Sequence, residues 1–313
     1  MGLLTLASLL ANRPMPNVLG FVGNAEAIRA SHHNRQMLKQ LCNAHRVANF
    51  GRAMAASKRN KIARNLIIKE RFMNMALKSS RLSQGVIDQI DTPQSSDPEE
   101  LIPWSLKQFS RQNLVITTAF GMEGCALVDM YSRFASDLTV AYIDTGFFFP
   151  ETRKLIDRMS EKYSHVEFKR WESPVSVQNQ KEEFGDGLWK KDPNLCCKIR
   201  KVIPMAQNLQ EYDVWVTGIR KTQTQQRAGM RLLTWNPQYK VVKFCPLAEW
   251  TRENVWQYVQ EHDVPFNQLH QQGFPSIGCY HCTKAVPNSQ PTDDARSGRW
   301  QGHTKTECGL HYS

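Results

Sequence analysis

The sequence predicts an α/β protein built on a parallel sheet, and three observations carry that prediction. From Pro103 onward, short β-rich runs alternate with helical stretches of ten or more residues, the rhythm of βαβ crossovers. The loops that leave these runs hold small residues and a strand-ending aspartate, at the end of the sheet where such folds bind ligands. The 313-residue chain is 41% hydrophobic and 22% charged, enough for one large core or two smaller ones and too apolar for a fully disordered protein. No uncharged apolar run approaches the roughly eighteen residues that span a bilayer, so the expectation is a soluble globular protein.

The predicted elements follow in order. Residues 113–118 (NLVITT) make a strand, followed by a glycine-containing loop and a helix over 124–134. Residues 138–143 (LTVAYI) make the second strand, 151–163 the second helix and 165–170 the third strand. The fourth strand is 213–217 (DVWVT) and a fifth is 241–244.

The net charge of +11 is uneven, and this decides what it means. Residues 1–81 hold 14 Lys and Arg against Glu26 and Glu70, whereas the remainder holds 26 basic and 27 acidic residues. The basic excess belongs to an N-terminal extension, which argues against a nucleic-acid binder. That extension has basic helical stretches at 34–48 and 57–75 but few large apolar residues. It reads as an organelle transit peptide, a basic disordered tail, or the product of a start assigned upstream of Met54, Met73 or Met75. A dispensable or disordered segment over 1–92 is expected, because such polar sequence cannot offset its ordering entropy. Residues 91–100 (DTPQSSDPEE) read as the linker into a working domain over 93–313.

Two loops are candidate nucleotide-binding elements. Thr117, Thr118 and Gly121 belong to TTAFGMEG, between a strand and a helix, where free backbone N–H groups can receive a phosphate. The loop lacks the Gly-Lys-Ser/Thr of a P-loop, and a bare tight turn explains it about as well. In the second loop, Asp144 ends a strand, Thr145 and Gly146 follow, and Pro150 starts the next helix.

Of the eight cysteines, Cys196-Cys197 and the Cys279-Tyr-His-Cys282 motif form two tight pairs. Four thiolates so grouped suit one zinc ion or an iron–sulfur cluster. Neighbouring cysteines alternate in direction along an extended chain, so joint ligation requires a helical or distorted backbone around 196–197. A buried small residue plus a redox-active CxxC is the alternative. Cys308 stands apart near the C-terminus, in ECGLH. A thiol on such a tail could react in a cleft and then present its product to a second protein, or it could be incidental.

The segments CCKIRK (196–201), GIRKTQ (218–223), PLAEW (246–250), GFPSIGCYHCT (273–283), RSGRW (296–300) and KTECGLH (305–311) together resemble the assimilatory adenosine 5′-phosphosulfate reductases of the bacterial, thioredoxin-dependent type. The resemblance covers residues 100–313. It implies an adenine-nucleotide hydrolase-like parallel sheet with flanking helices and a 4Fe-4S cluster on Cys196, Cys197, Cys279 and Cys282. The two cysteine pairs favour the substrate without a 3′-phosphate; activity on the 3′-phosphorylated compound, or on both, is the alternative, and a metal-stabilised nucleotide-binding module is the reading from a different class. The resemblance also implies Cys308 as nucleophile, Lys201, Arg296 and Arg299 as anion-binding residues and His311 as a further site residue. Arg220 and Arg227 are weaker phosphate candidates. The 144–146 loop and residues 117–121 would take the adenosine. Tyr280-His281 departs from the family, in which a small residue and Pro are common there; His281 is not expected to be a ligand. The implied reductant is external thioredoxin or glutaredoxin, with no nucleic acid and no membrane as partner and room for a homo-oligomer. A bacterial cytoplasm is expected, or a plastid if the extension is a transit peptide.

Overall fold

The computed structural model describes residues 84–286 and 296–311, all within the second of two compact units into which the chain divides, Arg71–Ser313. The helical stretches expected at 34–48 and 57–75 lie outside the described residues. Among the described residues no helix is long and apolar enough to cross a membrane.

Six strands form one sheet: β1 (Leu114–Thr117), β2 (Thr139–Asp144), β3 (Glu167–Glu172), β4 (Val214–Thr217), β5 (Leu233–Asn236) and β6 (Val241–Phe244). The spatial order is β3-β2-β1-β4-β6-β5. Every pairing is parallel except β5 with β6. The chain leaves β1 for β2 on one side and later returns to β4 on the other. This reversal opens a crevice beyond the carboxyl ends of β1 and β4.

Alternation along the strands feeds two cores. Leu114, Ile116, Val140, Val214, Val216 and Phe244 pack on one face with helix α3 (Met122–Ser132) and helix α9 (Arg252–Glu261). Val115, Ala141, Trp171, Trp215 and Val241 pack on the other with Met205 and Leu209. The second of these cores rests on helix α8 (Ile203–Asn208), reached through helices α5 (Val177–Phe184), α6 (Leu188–Lys191) and α7 (Pro193–Cys197).

Several boundaries differ from expectation. Helix α2 spans Pro98–Gln108, so the linker ends earlier than residue 100. Asp97 caps this helix, its Oδ1 accepting from the Glu99 N–H at 3.0 Å, and proline takes the first turn, where its missing N–H costs nothing. Upstream, the short helix α1 (Gln84–Ile87), assigned by sequence to the extension, packs on β5. Ile87 is buried, and the Trp235 N–H donates to Gln84 Oε1 at 3.1 Å. Strand β3 starts two residues later than expected, because the Val166 N–H closes a turn onto Tyr163. Strand β5 was not anticipated; it folds back on β6 through a turn in which Lys240 takes φ +55. Between β2 and β3 runs helix α4 (Pro150–Lys162), which buries Leu155 and Met159.

Candidate active site

The crevice between β1 and β4 opens into a cleft of about 200 Å³. One wall begins with the loop after β1. The Trp215 indole N–H donates to Thr117 Oγ1 at 2.6 Å, and the Phe120 N–H to Thr118 Oγ1 at 2.8 Å. Phe120, fully buried against Tyr142, adopts φ +56, a conformation rare for such a side chain and retained here by its packing. Gly124 has a steric reason: a Cβ there would lie 2.2 Å from Thr118 Oγ1. Thr117, Thr118 and Gly121 all line the cleft.

The second loop divides its roles. Thr145 lines the cleft. Asp144 and Gly146 do not: Asp144 Oδ1 accepts from the Gly146 N–H at 2.8 Å and Oδ2 pairs with Arg170 at 2.8 Å. The carboxylate thus fixes the turn, in which Gly146 takes φ +77.

The cationic wall comes from two distant segments. Lys201 lies in a π-helical turn, Lys198–Val202, directly after α7, and it faces both the cleft and a neighbouring cysteine-lined cavity. Burial opposes its charge, but Cys279, Cys197 and Cys308 around it raise its pKa above the ordinary lysine value. Arg296 and Arg299 line the same cleft and stack on Trp300, with guanidinium-to-ring distances of 5.2 and 4.6 Å. Burial, together with Arg299, lowers Arg296 to about 10. Arg299 keeps a buried Nε without a hydrogen-bond partner. Gly278 makes room for it, since a Cβ there would fall 2.2 Å from Arg299 Nη2. A short antiparallel bridge, Thr283 with Arg299, ties this segment to the CYHC loop.

Cys308 sits among these cations, 8% exposed, in contact with Cys197 and Trp300. Burial alone would push its thiol up; Lys201, Arg296 and the Leu310 backbone N–H bring it below the ordinary value instead. Two other thiols behave oppositely. Cys125 and Cys245 are fully buried and away from the cleft lining, with both thiols pushed up, Cys245 to about 12. His311 lines the cleft and stacks on Trp215, ring centres 5.0 Å apart, and burial holds its pKa well below the usual range.

The two weaker arginines part company. Arg220 does not line the cleft: its Nε and Nη2 both donate to Glu123 Oε1, at 3.0 and 2.9 Å. Burial would raise the Glu123 carboxyl, but Arg220 takes it below its ordinary value. Arg227 does line the cleft, yet it is paired with Glu307.

Behind Lys201, Cys196, Cys197, Cys279 and Cys282 line one small shared cavity. Cys196 and Cys197 occupy the last turn of α7, the helical backbone that adjacent ligands require. Cys279 Sγ donates to Thr145 Oγ1 at 3.3 Å. Burial, with the other cysteines, raises Cys196 to about 12 and Cys282 to about 11. Among the described residues, no three His, Cys, Asp or Glu groups converge as a single metal ion demands. His281 stacks flat on Trp189 at 3.6 Å, an aromatic role that accounts for its place in the motif.

Sequence reasoning passed over Glu123, Trp215, Gly278, Trp300 and Glu307. All five stood inside segments already singled out, but their roles depend on partners in other segments.

The phosphoadenosine phosphosulfate reductase domain family matches residues 113–285. An adenosine 5′-phosphosulfate reductase of Shouchella clausii is 41% identical over 215 residues, covering 69% of this chain and 88% of the relative. The same-named protein of Lysinibacillus sphaericus is 41% identical over 212 residues, covering 68% and 89%. A crystal structure of phosphoadenylyl-sulfate reductase from Candida auris, in complex with phosphate, aligns with a TM-score of 0.53 and 28% identity over 66% of this chain and 98% of that one. With a family match running from β1 through the CYHC loop, and relatives 41% identical over most of their length, the chain belongs to the phosphoadenosine phosphosulfate reductase family.

Proposed function

We propose that the chain reduces adenosine 5′-phosphosulfate to sulfite and AMP, with Cys308 as nucleophile. The observation that carries this reading is the meeting of Cys308 with Lys201, Arg296 and Arg299 in one cleft beside the loop after β1. The pKa of this thiol is lowered, whereas those of the buried Cys125 and Cys245 are raised.

In the first half-reaction the Cys308 thiolate attacks the sulfate sulfur. An S–S bond forms, the S–O bond to the nucleotide breaks, and its electron pair leaves on the AMP phosphate. Lys201, Arg296 and Arg299 hold the phosphosulfate in line and offset the charge that develops on the leaving group. In the second, one thiol of reduced thioredoxin or glutaredoxin attacks Cys308 Sγ and releases sulfite. Its second thiol resolves the mixed disulfide and regenerates the Cys308 thiolate, so the two electrons come from the reductant's thiols. Thr117, Thr118, Gly121 and Thr145 take the nucleoside side, with His311 at the tail end of the cleft. Arg220, Asp144 and Gly146 act as supports of the wall.

The donor set of the second cavity fits a 4Fe-4S cluster. Its four cysteines line one shared space, and four thiolates are the donors such a cluster would take. When bound it supplies a fixed charge and a covalent tie between the two cysteine loops. Cys196, Cys197, Cys279 and Cys282 would hold it, with Lys201 between it and the cleft.

The relatives named adenosine 5′-phosphosulfate reductase support the substrate without a 3′-phosphate. These relatives are bacterial, in keeping with a bacterial cytoplasm, and lend no support to a plastid. Sulfite release from each of the two adenylated sulfates, with reduced thioredoxin, tests the reading. Faster release from adenosine 5′-phosphosulfate is expected; equal or reversed efficiency refutes the substrate choice. No release from either leaves a metal-stabilised nucleotide-binding module as the better account.

A further inference from the structure

Arg227 Nε and Nη2 donate to Glu307 Oε1 and Oε2, each at 2.9 Å, and the two side chains are 9% and 8% exposed. Arg296 Nη2 lies 3.6 Å from the same carboxylate, and its Nε donates to the Thr306 carbonyl at 3.1 Å. Gln226 Nε2 adds a bond to Thr306 Oγ1 at 3.0 Å. These contacts grip the two residues immediately before Cys308. The cleft arginine that sequence assigned to phosphate is therefore spent on the tail.

A buried bidentate pair has two stable conditions, made in the interior or separated in water, because a half-open pair leaves a desolvated charge unmatched. The two half-reactions proposed above require opposite tail positions. Cys308 must lie among Lys201, Arg296 and Arg299 to attack sulfur, yet at 8% exposure it is closed to a protein thiol. We propose that Arg227 and Glu307 are positioning residues that latch the tail. The made pair holds Cys308 in the cleft for sulfur transfer, and its opening presents S-sulfo-Cys308 to the reductant. Transfer itself loosens the latch: the new sulfonate sits one residue from Glu307 and draws on Arg296, which already faces that carboxylate. This rests on Cys308 being the nucleophile.

The test uses the cluster-loaded full chain and the variants Glu307→Gln and Arg227→Lys, each of which keeps bulk and part of the hydrogen bonding. Three rates are measured: alkylation of Cys308 by iodoacetamide without substrate, located by peptide mass; adduct formation from adenosine 5′-phosphosulfate without reductant; and sulfite release from preformed adduct by reduced thioredoxin. In both variants alkylation should rise by roughly tenfold or more, the worth of one charge-assisted hydrogen bond. Adduct formation should fall by a similar factor, while sulfite release stays level or quickens. A residue that merely supported the fold would slow both half-reactions together, and that result overturns the latch. Unchanged alkylation in both variants, with the adduct still on Cys308, overturns the latch alone. An adduct on another cysteine of the unaltered enzyme overturns the nucleophile and the latch's role with it.

Discussion

Gly278→Ala is the substitution that most directly tests the cationic wall, because the new methyl group would meet only one side chain. A Cβ at 278 would lie 2.2 Å from Arg299 Nη2, 2.5 Å from Cζ and 2.8 Å from Nη1. All three atoms belong to the far end of a flexible side chain, so the guanidinium swings away and the backbone stays. Gly278 is not among the residues with positive φ, so alanine is tolerated there and removes some unfolded-state entropy, worth about 0.4–1 kcal/mol. Stability should therefore hold or rise slightly. The displaced Arg299 loses its place over Trp300 and, with it, the contact to the phosphosulfate proposed above. One charge-assisted hydrogen bond is worth about 1.5–3 kcal/mol, so kcat/KM should fall by about 10- to 100-fold. Gly298→Ala is the control of opposite sign: its Cβ would meet the Lys284 carbonyl oxygen at 2.4 Å, a backbone atom that cannot step aside. There, melting temperature should fall together with activity. Steady-state sulfite release, thermal melts and iron content on the three proteins decide the matter. Unchanged kcat/KM in Gly278→Ala, or a melting temperature lowered as far as in Gly298→Ala, would refute the reasoning.

Cys308→Ser should keep iron and substrate binding but form no S-sulfo adduct, whereas Cys279→Ser should lose cluster and activity together; a sulfonate-sized mass gain persisting in Cys308→Ser would remove that residue from the nucleophile role. Arg220→Met strands the Glu123 carboxylate beside the cleft, and the lost buried pair should cost about 3–5 kcal/mol of stability. If Arg220 instead contacts substrate, the variant will melt normally and show only a raised KM. A chain beginning at Pro93 loses the buried Ile87 and the Gln84 bond to β5, at about 2–4 kcal/mol, and should melt about 5–10 °C below one beginning at Arg81. Equal melting temperatures would show that the segment before the linker contributes nothing to the sheet edge.

The sequence alone determined the parallel α/β sheet, the strands over 113–118, 138–143, 213–217 and 241–244, the segregation of basic charge before residue 82, and the pairing of cysteines. Each of these is written in local periodicity or spacing, which short-range sterics and burial enforce. It also carried the condition that Cys196 and Cys197, if they share a metal centre, need a helical or distorted backbone; α7 places both on a helical turn. The start of α2 was legible in Asp97-Pro98, a cap followed by proline, but the same residues also read as linker. Strand β5 was hidden because a short edge strand draws its pairing from β6 and not from its own pattern. Only the tertiary structure sorted the arginines. The motifs ranked Arg220 and Arg227 below Arg296 and Arg299 as anion ligands, but what the weaker pair does depends on partners far along the chain: Glu123 lies 97 residues from Arg220, and Glu307 lies 80 from Arg227. A guanidinium bonds to whichever carboxylate the fold brings within reach, and the folded packing of distant segments sets that distance.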